Sequence, residues 1–493
     1  MNQQFEQVLQ SSWQERQEFA EQMLPIVGRL YRNNAVEILV YGRSLLNASV
    51  IDLIKAHKRV RQFEGVKLRL RESWSILEVV SQMQLAPCQI DIGKLAFDYH
   101  YKNGGSDLSG NEPGLSSDNK LDVATYTRSK LSSVADKEDK HEPRDVVLYG
   151  FGRIGRLLAR LMIERQGKAN KLRLKAIVVR GGKKGDLEKR ASLLRRDSVH
   201  GPFNGSITVD IERNAIKANG SFIQVIYANH PSEVDYTQYG ISNAIVVDNT
   251  GMWRDKEGLS QHLQAKGAAK VLLTAPGKTG IKNIVHGVNH ADILATDTIL
   301  SAASCTTNAI TPVLMALDEE YGIDNGHVET VHSFTNDQNL IDNYHKAERR
   351  GRAASLNMVI TETGAAEAVS KAYPKLEGKL TGNAIRVPTP NVSMAILNLQ
   401  LQTATDKQSI NKYLRDTSLF SSLQNQIDYT ASTEIVSTDL VGTRAAAIVD
   451  SQATIVASNR ATLYVWYDNE FGYSCQVMQV VADMAGLAVP TLP

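Results

Sequence analysis

Several features that mark other protein classes are scarce in this chain of 493 residues. It has only three cysteines, Cys88, Cys305 and Cys475, and their spacing fits neither a disulfide framework nor a zinc site. The net charge is +2, so no strong positive field is available to hold a nucleic acid. No apolar run approaches the roughly 18 residues that cross a membrane, and the start MNQQFEQVLQ lacks the pattern of a secretion signal. We therefore expect a cytoplasmic protein with no resident metal, no nucleic acid partner and no membrane span.

The composition that remains is that of a folded protein with more than one domain. Hydrophobic residues make up 42% and charged residues 22% of a chain well above the ~150 residues of an average domain. Residues 1–101 carry apolar side chains at helical spacing and predict a helical N-terminal extension. Residues 103–120 are rich in glycine and serine, and 132–143 are charged, so 102–143 is predicted to be a linker.

Short β-branched runs alternate with helical patterns from Asp145 onward, which predicts a doubly wound α/β sheet. We expect a Rossmann-type dinucleotide-binding domain over 144–304 and an α+β catalytic domain over 305–467. The final segment, 468–493, is expected to return to the Rossmann domain.

The first helix of that domain follows a glycine motif, Gly150-x-Gly152-x-x-Gly155. A strand at 146–149 leads in and a helix at 154–164 leads out, which is the setting in which such glycines cradle a pyrophosphate. The predicted cofactor contacts in this loop are Gly150, Phe151, Gly152, Arg153, Ile154 and Gly155.

The second strand of the domain, 172–179, ends at Arg180. An NAD site usually has a carboxylate here that binds the ribose hydroxyls and repels a 2′-phosphate. Arg180, followed by Lys183 and Lys184, instead predicts that NADP is accepted beside NAD. A solvated basic loop is an equally open interpretation of the same residues.

A candidate nucleophile, Cys305, lies between an apolar strand and a helix. Helix N-termini lower thiol pKa values, so we expect an activated thiolate. His332 follows on the next predicted strand and could act as its base. Taken alone, the two residues are also compatible with an inert buried cysteine and a histidine that belongs to the core.

Taken together, the motifs resemble those of phosphorylating glyceraldehyde-3-phosphate dehydrogenases over about 145–487. They are GFGRIGR (150–156), RDSVHG (196–201), SCTTN (304–308), HSFTNDQ (332–338), RAAS (352–355), TGAAEAV (363–369), RVPTPNVS (386–393) and WYDNEFGYS (466–474). The resemblance implies oxidation of glyceraldehyde 3-phosphate with NAD(P) and inorganic phosphate, through a thioester on Cys305 formed with the help of His332. It also implies a homotetramer.

The resemblance assigns further residues by their place in these motifs. It implies that the substrate phosphate and the attacking phosphate are bound by hydroxyls, a backbone donor and guanidinium groups, namely Ser304, Thr306, Thr335, Arg350, Thr363, Gly364 and Arg386. It implies cofactor contacts by Thr250 and Asn469. Two departures are Ala309, where many relatives carry a second cysteine, and Asn343-Tyr344, where many NAD-specific relatives carry Leu-Pro.

Two alternatives remain. Erythrose-4-phosphate dehydrogenase uses the same scaffold and thiol, but water hydrolyses its intermediate. An interaction protein that has lost activity is the other, and the joint presence of Cys305, His332, Arg386 and Asn469 speaks against it.

Overall fold

The computed structural model describes residues 2–102, 121–139, 141–182 and 184–493. It divides into two units. Unit 1 comprises Met1–Glu142, Arg165–Lys171 and Val489–Pro493, and unit 2 comprises Pro143–Glu164 and Leu172–Ala488. Among the described helices, none is both long and apolar enough to cross a membrane. In the same part of the chain, no group of three or more His, Cys, Asp or Glu side chains is arranged to hold a metal ion.

The twelve α-helices found in the described residues are α1 (Asn2–Asn34), α2 (Val50–Glu64), α3 (Leu70–Ser81), α4 (Ile92–Phe97), α5 (Val123–Lys130), α6 (Arg153–Glu164), α7 (Asp186–Arg195), α8 (Lys256–Ser260), α9 (Cys305–Tyr321), α10 (Ala365–Ala372), α11 (Lys407–Phe420) and α12 (Phe471–Ala485). The strands are β1 (Val36–Val40), β2 (Arg43–Ser44), β3 (Cys88–Asp91), β4 (Arg144–Tyr149), β5 (Leu172–Val179), β6 (Ile207–Asp210), β7 (Ala215–Ala218), β8 (Ser221–Tyr227), β9 (Ala244–Asp248), β10 (Ala268–Leu273), β11 (Lys282–Asn283), β12 (Ile299–Ser301), β13 (Ile323–Ser333), β14 (Val359–Thr361), β15 (Leu380–Val387), β16 (Ser393–Leu401), β17 (Ile427–Thr430), β18 (Ala447–Asp450), β19 (Ile455–Ala457), β20 (Arg460–Tyr467) and β21 (Thr491–Leu492).

Unit 1 is mainly helical, as predicted, and it also contains a small sheet that the sequence analysis missed. The strand order is β2-β1-β3-β21, with β1 and β3 parallel. All five residues of β1 are buried, so its sequence, VEILV, has no polar alternation to distinguish it from a buried helix. Pro25 lies inside α1 and does not end it.

Part of the predicted linker is also ordered as a helix. Asp122 caps α5 by accepting hydrogen bonds from the backbone N–H groups of Ala124 and Thr125, and Tyr126 and Leu131 are buried. The glycine-rich residues 103–120 lie outside the described residues. The segment 121–130 therefore differs from the prediction, since Tyr126 and Thr127 within it and Leu131 directly after it are buried.

Unit 2 contains the predicted doubly wound sheet and, beside it, a second sheet. The nine-stranded sheet has the order β11-β12-β10-β9-β4-β5-β8-β7-β6, and the strands from β11 to β8 in this order pair in parallel. Helices α6 and α12 share one core, with Leu158, Met162, Val477 and Val481 buried in it. The predicted Rossmann domain is confirmed.

The second sheet carries two residues of the candidate site, His332 and Arg386. Its order is β14-β15-β13-β16-β20-β18-β17, with β19 paired to β20. In the parallel pair β13 and β15, His332 lies opposite Arg386. The C-terminal segment is divided between the two units. Helix α12 belongs to unit 2, whereas Val489–Pro493 belongs to unit 1, where β21 pairs with β3.

Candidate active site

Cys305 is the first residue of α9, and the turn before it is sharp. Ala303 has φ of 55°, a conformation that costs energy in a residue with a side chain. Ser304 caps the helix by accepting a hydrogen bond from the Thr307 N–H at 3.0 Å. Cys305 is partly exposed, as a nucleophile must be. The fold thus places the thiol at the open end of a capped helix.

His332 lies on β13 with its ring beside that thiol. Nε2 is 3.5 Å from the Cys305 Sγ, and Nδ1 is 2.7 Å from the carbonyl oxygen of Ser333. In the tautomer in which Nδ1 donates to this carbonyl, the Nε2 lone pair faces the sulfur, and that is the tautomer a general base requires. Arg386 Nη1 lies 2.9 Å from Nδ1 and opposes this tautomer, because a guanidinium can only donate.

The protonation of Cys305 and His332 differs from the prediction of an activated thiolate. Burial raises the pKa of the Cys305 thiol, and the nearby charge of Arg386 only partly opposes this effect. Burial, followed by the charge of Arg386, lowers the pKa of His332 to about 3. A neutral thiol therefore faces a neutral imidazole, and the effect of the helix N-terminus does not outweigh desolvation.

Arg386 is the guanidinium closest to the pair. Its Nη1 donates to the carbonyl oxygen of Ser333 at 3.1 Å and lies 3.4 Å from the Thr335 hydroxyl. Its Nε is buried and has no hydrogen-bond partner among the described residues. An unpaired buried donor on a cation fits an anion such as phosphate.

A second guanidinium, Arg350, lies on a turn between β13 and β14. Its Nη1 donates to Asp337 at 2.6 Å, and its Nε and Nη2 donate to Thr361 at 3.2 and 3.0 Å. The Thr335 hydroxyl also donates to Asp337. The Asp337 carboxylate therefore accepts from two of the predicted phosphate-binding residues.

Two further residues predicted to bind an anion, Thr306 and Ser304, have hydroxyls that are already bonded within the protein. The Thr306 hydroxyl lies 3.0 Å from the Tyr467 hydroxyl, which is buried and also bonded to Thr330. The Ser304 hydroxyl is 2.7 Å from that of Thr307 within the cap.

Thr363 and Gly364 lie at the start of α10. The Thr363 hydroxyl accepts from the Ala365 N–H at 3.2 Å. A Cβ placed on Gly364 would have no atom within 4 Å, so the space beside its backbone is open. These two residues can still present backbone groups to an anion, whereas the hydroxyl of Thr306 is committed to Tyr467.

The three motif glycines each meet a different steric need. Gly150 has φ of 92°, and a Cβ there would lie 2.9 Å from a methyl carbon of Thr250. A Cβ on Gly155 would lie 2.4 Å from the Gly150 carbonyl oxygen. A Cβ on Gly152 would have no atom within 4 Å, so this residue borders open space at the start of α6. Gly150 thus permits the turn, Gly155 permits close packing of the helix, and Gly152 leaves room for a pyrophosphate to approach. The loop therefore fits a dinucleotide.

An open cleft of about 370 Å³ leads from this loop along the ends of β4, β5 and β9. Among the predicted residues, Gly150, Phe151, Gly152, Thr250 and Arg180 line it. Ile154 and Arg153 do not line it: Ile154 packs on the core of unit 2, and the Arg153 side chain binds Glu470 and Asp197. Lys184 is exposed, and Lys183 lies outside the described residues.

Asn469 is buried next to Ser393, the first residue of β16. Its Oδ1 accepts a hydrogen bond from the Ser393 hydroxyl at 2.9 Å, and that hydroxyl accepts from the Ser333 N–H at 3.1 Å. The chain of bonds from Ser333 orients the amide of Asn469 through its Oδ1.

Sequence reasoning missed several residues that the structure brings to the site. Tyr467, Asp337 and Ser393 lie inside motifs that were recognised, so their motif positions were the available signal. Arg190 on α7 and Trp253 also line the cofactor cleft, and no local pattern marks them.

Comparison with known families agrees with this geometry. The family model for the glyceraldehyde 3-phosphate dehydrogenase NAD binding domain matches residues 144–256, and the model for the C-terminal domain matches 304–469. The chain belongs to the glyceraldehyde-3-phosphate dehydrogenase family. It is an NAD(P)-dependent oxidoreductase of the Rossmann type.

Relatives differ in how much of the chain they share. A glyceraldehyde-3-phosphate dehydrogenase-like protein of Pseudomonas aeruginosa (strain UCBPP-PA14) is 58% identical over 475 residues, which cover 96% of this chain and 100% of the relative. The glyceraldehyde-3-phosphate dehydrogenase of Zymomonas mobilis is 40% identical over 342 residues, covering 69% of this chain and 98% of the relative. A chloroplastic glyceraldehyde-3-phosphate dehydrogenase A of Zea mays is 40% identical over 343 residues, 69% of this chain and 81% of the relative. The Pseudomonas protein thus shares the N-terminal region, and the Zymomonas alignment leaves nearly a third of this chain unmatched.

Proposed function

We propose that this protein is a phosphorylating glyceraldehyde-3-phosphate dehydrogenase. One observation carries the proposal: the Cys305–His332 pair lies beside Arg386, whose buried Nε is unpaired, while a second guanidinium, Arg350, is held by a neighbouring carboxylate. Two cationic groups suit a reaction that must hold two phosphates, one on the substrate and one that attacks.

The proposed reaction begins when Cys305 attacks the aldehyde carbon of glyceraldehyde 3-phosphate. The thiol proton passes through His332 Nε2 to the carbonyl oxygen, which gives a thiohemiacetal. His332 then takes the hydroxyl proton as the carbon is oxidised to a thioester. When bound, the oxidised cofactor accepts the hydride that leaves this carbon.

Inorganic phosphate completes the reaction. It attacks the thioester carbon, the Cys305 sulfur leaves and recovers a proton, and an acyl phosphate, 1,3-bisphosphoglycerate, is released. A thioester keeps more of the oxidation free energy than a serine ester would, so the sulfur nucleophile makes the step reversible. We place the enzyme in glycolysis and gluconeogenesis, and in the reducing cytoplasm where a free thiol persists.

Within this proposal, Arg386, Thr335 and Arg350 bind the phosphates with their side chains. Thr363 and Gly364 contribute from the start of α10, and Ser304 and Thr306 shape the turn around the sulfur. Gly150, Phe151, Gly152, Arg180 and Thr250 bind the cofactor, Gly155 lets α6 pack closely against the loop, and the Asn469 amide orients the nicotinamide.

Erythrose-4-phosphate dehydrogenase is the competing activity on this scaffold. Its intermediate needs water, not a second anion, so the presence of both guanidiniums favours the phosphorylating reaction. The test compares glyceraldehyde 3-phosphate with erythrose 4-phosphate, each with and without inorganic phosphate. We expect steady turnover only with the triose plus phosphate, and phosphate-independent turnover of either substrate would contradict the proposal.

The other alternative, an interaction protein that keeps the fold but has lost activity, is tested by the reactivity of the three cysteine thiols. The pKa of Cys88 is raised to about 12 by burial, so Cys88 should react slowly with iodoacetamide. We expect Cys305 to react faster than Cys88 and Cys475. Equal rates at all three would support an inactive interaction protein.

We also propose a homotetramer. The segment between β13 and β15 exposes large apolar side chains, with Ile341 76%, Tyr344 90%, Leu356 81% and Met358 75% exposed. Apolar exposure of this extent marks an association surface. Light scattering at micromolar concentration should give the mass of four chains, and a monomer mass would contradict this.

A further inference from the structure

Five charged side chains of unit 2 form a buried group that no step above uses. This charge cluster consists of Arg153, Asp197, His200, Asp468 and Glu470. Their side-chain exposures are 24, 5, 5, 0 and 16% respectively. Buried charges are costly unless each has a partner, so the cluster is a candidate for a specific role.

Arg153 and His200 connect the three carboxylates. Arg153 donates to Asp197 at 2.6 Å through Nη1 and to Glu470 at 2.9 Å through Nε. His200 Nε2 lies 3.3 Å from Asp468 and 3.2 Å from the Asn391 Nδ2. Its Nδ1 lies 3.6 Å from Asp197, 3.7 Å from Glu470 and 3.3 Å from the Arg153 Nη2. Each cation therefore spans carboxylates from two different segments.

Those segments meet the cofactor site at two places. Arg153 directly follows Gly152 within the glycine motif and is the first residue of α6, whose N-terminus faces the pyrophosphate position. Asp468 and Glu470 flank Asn469 on either side. Asp468 also accepts from the Phe471 N–H at 2.8 Å and from the Gly442 N–H at 2.8 Å, so the turn that carries Asn469 depends on it.

We propose that the charge cluster positions the Asn469 amide relative to the pyrophosphate loop, so that the nicotinamide half of the cofactor binds in one orientation. Arg153 and His200 are positioning residues in this view, since their side chains act through Asp468 and Glu470. The inference rests on the proposed role of Asn469 toward the nicotinamide.

The charge balance explains why both cations are needed. With His200 protonated, two positive groups face three negative ones, and with His200 neutral only Arg153 remains. Burial alone would lower the pKa of His200, but its interactions with the carboxylates of Asp197 and Asp468 outweigh burial and raise the pKa to about 9. His200 is therefore charged at neutral pH and loses its charge as the pH rises through about 9.

Two further charged groups interact with the cluster from α6. Arg156 and Arg160 both interact electrostatically with Asp197, and Arg156 also interacts with Glu470. Arg160 donates to the backbone carbonyls of Leu194 and Gly201, so it is held away from direct contact with the carboxylates. Neither arginine replaces His200 between Asp197 and Asp468.

The test compares two ligands that share the adenosine diphosphate half: NADH and ADP-ribose, which lacks the nicotinamide. Trp253 lines the cleft and provides a fluorescence signal for equilibrium titration on the full chain. We expect His200→Gln to weaken NADH about tenfold and ADP-ribose by less than about twofold at pH 7.5. His286→Gln, which removes a histidine paired with Asp483 at 2.6 Å elsewhere in unit 2, is the matched control and should change neither.

A pH series adds a readout that general damage would not produce. NADH affinity of the wild-type protein should fall above about pH 9, and that of His200→Gln should be low and flat across the same range. Equal loss of both ligands, no loss of either, or an unchanged pH profile would overturn the proposal. These titrations use no aldehyde or phosphate, so failure of the proposed dehydrogenase reaction would show separately, as missing turnover with an intact NADH difference.

Discussion

The proposed catalytic pair, Cys305 and His332, and the proposed anion-binding turn that carries Arg350 are held in different ways. Cys305 and His332 lie on regular elements, the first turn of α9 and the end of β13, and Arg386 is placed by strand register. Asp337 and Arg350 lie in turns between β13 and β14 and hold each other, with side chains 42% and 25% exposed.

This difference separates what is preorganised from what must rearrange. The sulfur, the imidazole and Arg386 keep their positions through main-chain hydrogen bonds and sheet pairing. On the anion side, the Asp337 carboxylate already occupies donors of Arg350 and Thr335, so a phosphate has to compete with it. Substitutions of the pair should therefore lower turnover, and substitutions of the turns should change substrate affinity.

The largest effect is expected at the nucleophile. Cys305→Ser should lower turnover by at least ~10³-fold, because a serine hydroxyl is a far weaker nucleophile at neutral pH. Cofactor binding, measured by fluorescence titration, should stay within about twofold of wild type. A variant that keeps more than about a tenth of the wild-type rate would show that Cys305 is not the nucleophile.

His332→Asn should lower turnover by roughly 10²–10⁴-fold, since the proton acceptor 3.5 Å from the sulfur is lost. Steady-state kinetics at saturating substrate and phosphate measure this effect. His327→Asn is a matched control, because His327 lies on the same strand with its ring bonded to Thr381 and Asn383. A similar loss in the control would point to damage of β13.

The anion side should respond in affinity. Arg350→Gln should raise the KM for the substrate or for inorganic phosphate about tenfold with a smaller change in kcat, and Asp337→Asn should lower the same KM severalfold by removing the competing carboxylate. Arg349→Gln, at the exposed neighbouring position, is the control. If kcat falls while both KM values stay constant, the proposed competition is wrong.

The smallest effect concerns cofactor choice, where Arg180 is exposed at the end of β5. A charge-assisted contact to a 2′-phosphate is worth about 1.5–3 kcal/mol if well aligned, or roughly ten- to a hundredfold in affinity. Wild type should use NADP at least as well as NAD. Arg180→Ala should weaken NADP, and Arg180→Asp should weaken it further while NAD changes little. Unchanged preference in both variants would show that Arg180 does not face the cofactor.

The sequence predicted the parts of this site that depend on local pattern. The glycine loop, Cys305 and His332 each lie where a strand meets a helix or turn, and their surrounding motifs are contiguous. The sequence did not predict the partners of individual side chains. The Thr306 hydroxyl bonds to Tyr467, and Arg153 binds Glu470, 317 residues away in the chain. Such partners are set by tertiary packing and leave no local signal.

The fold shows the same limit. The parallel sheet of unit 2 was predicted because its buried strands alternate with helices over a long stretch. In unit 1, β1 and β3 were missed because five and four buried residues between helices carry no period of their own. The predicted thiolate of Cys305 was wrong because the helix position is local, whereas the burial that raises its pKa is not.

The most direct test of the account is a single-turnover experiment with glyceraldehyde 3-phosphate and excess oxidised cofactor, without phosphate. If Cys305 forms a thioester that only phosphate releases, reduced cofactor should appear in one burst equal to the concentration of sites and then stop. Adding inorganic phosphate should restart steady turnover. Continuous turnover without phosphate, or no burst in a protein that binds the cofactor, would contradict the account.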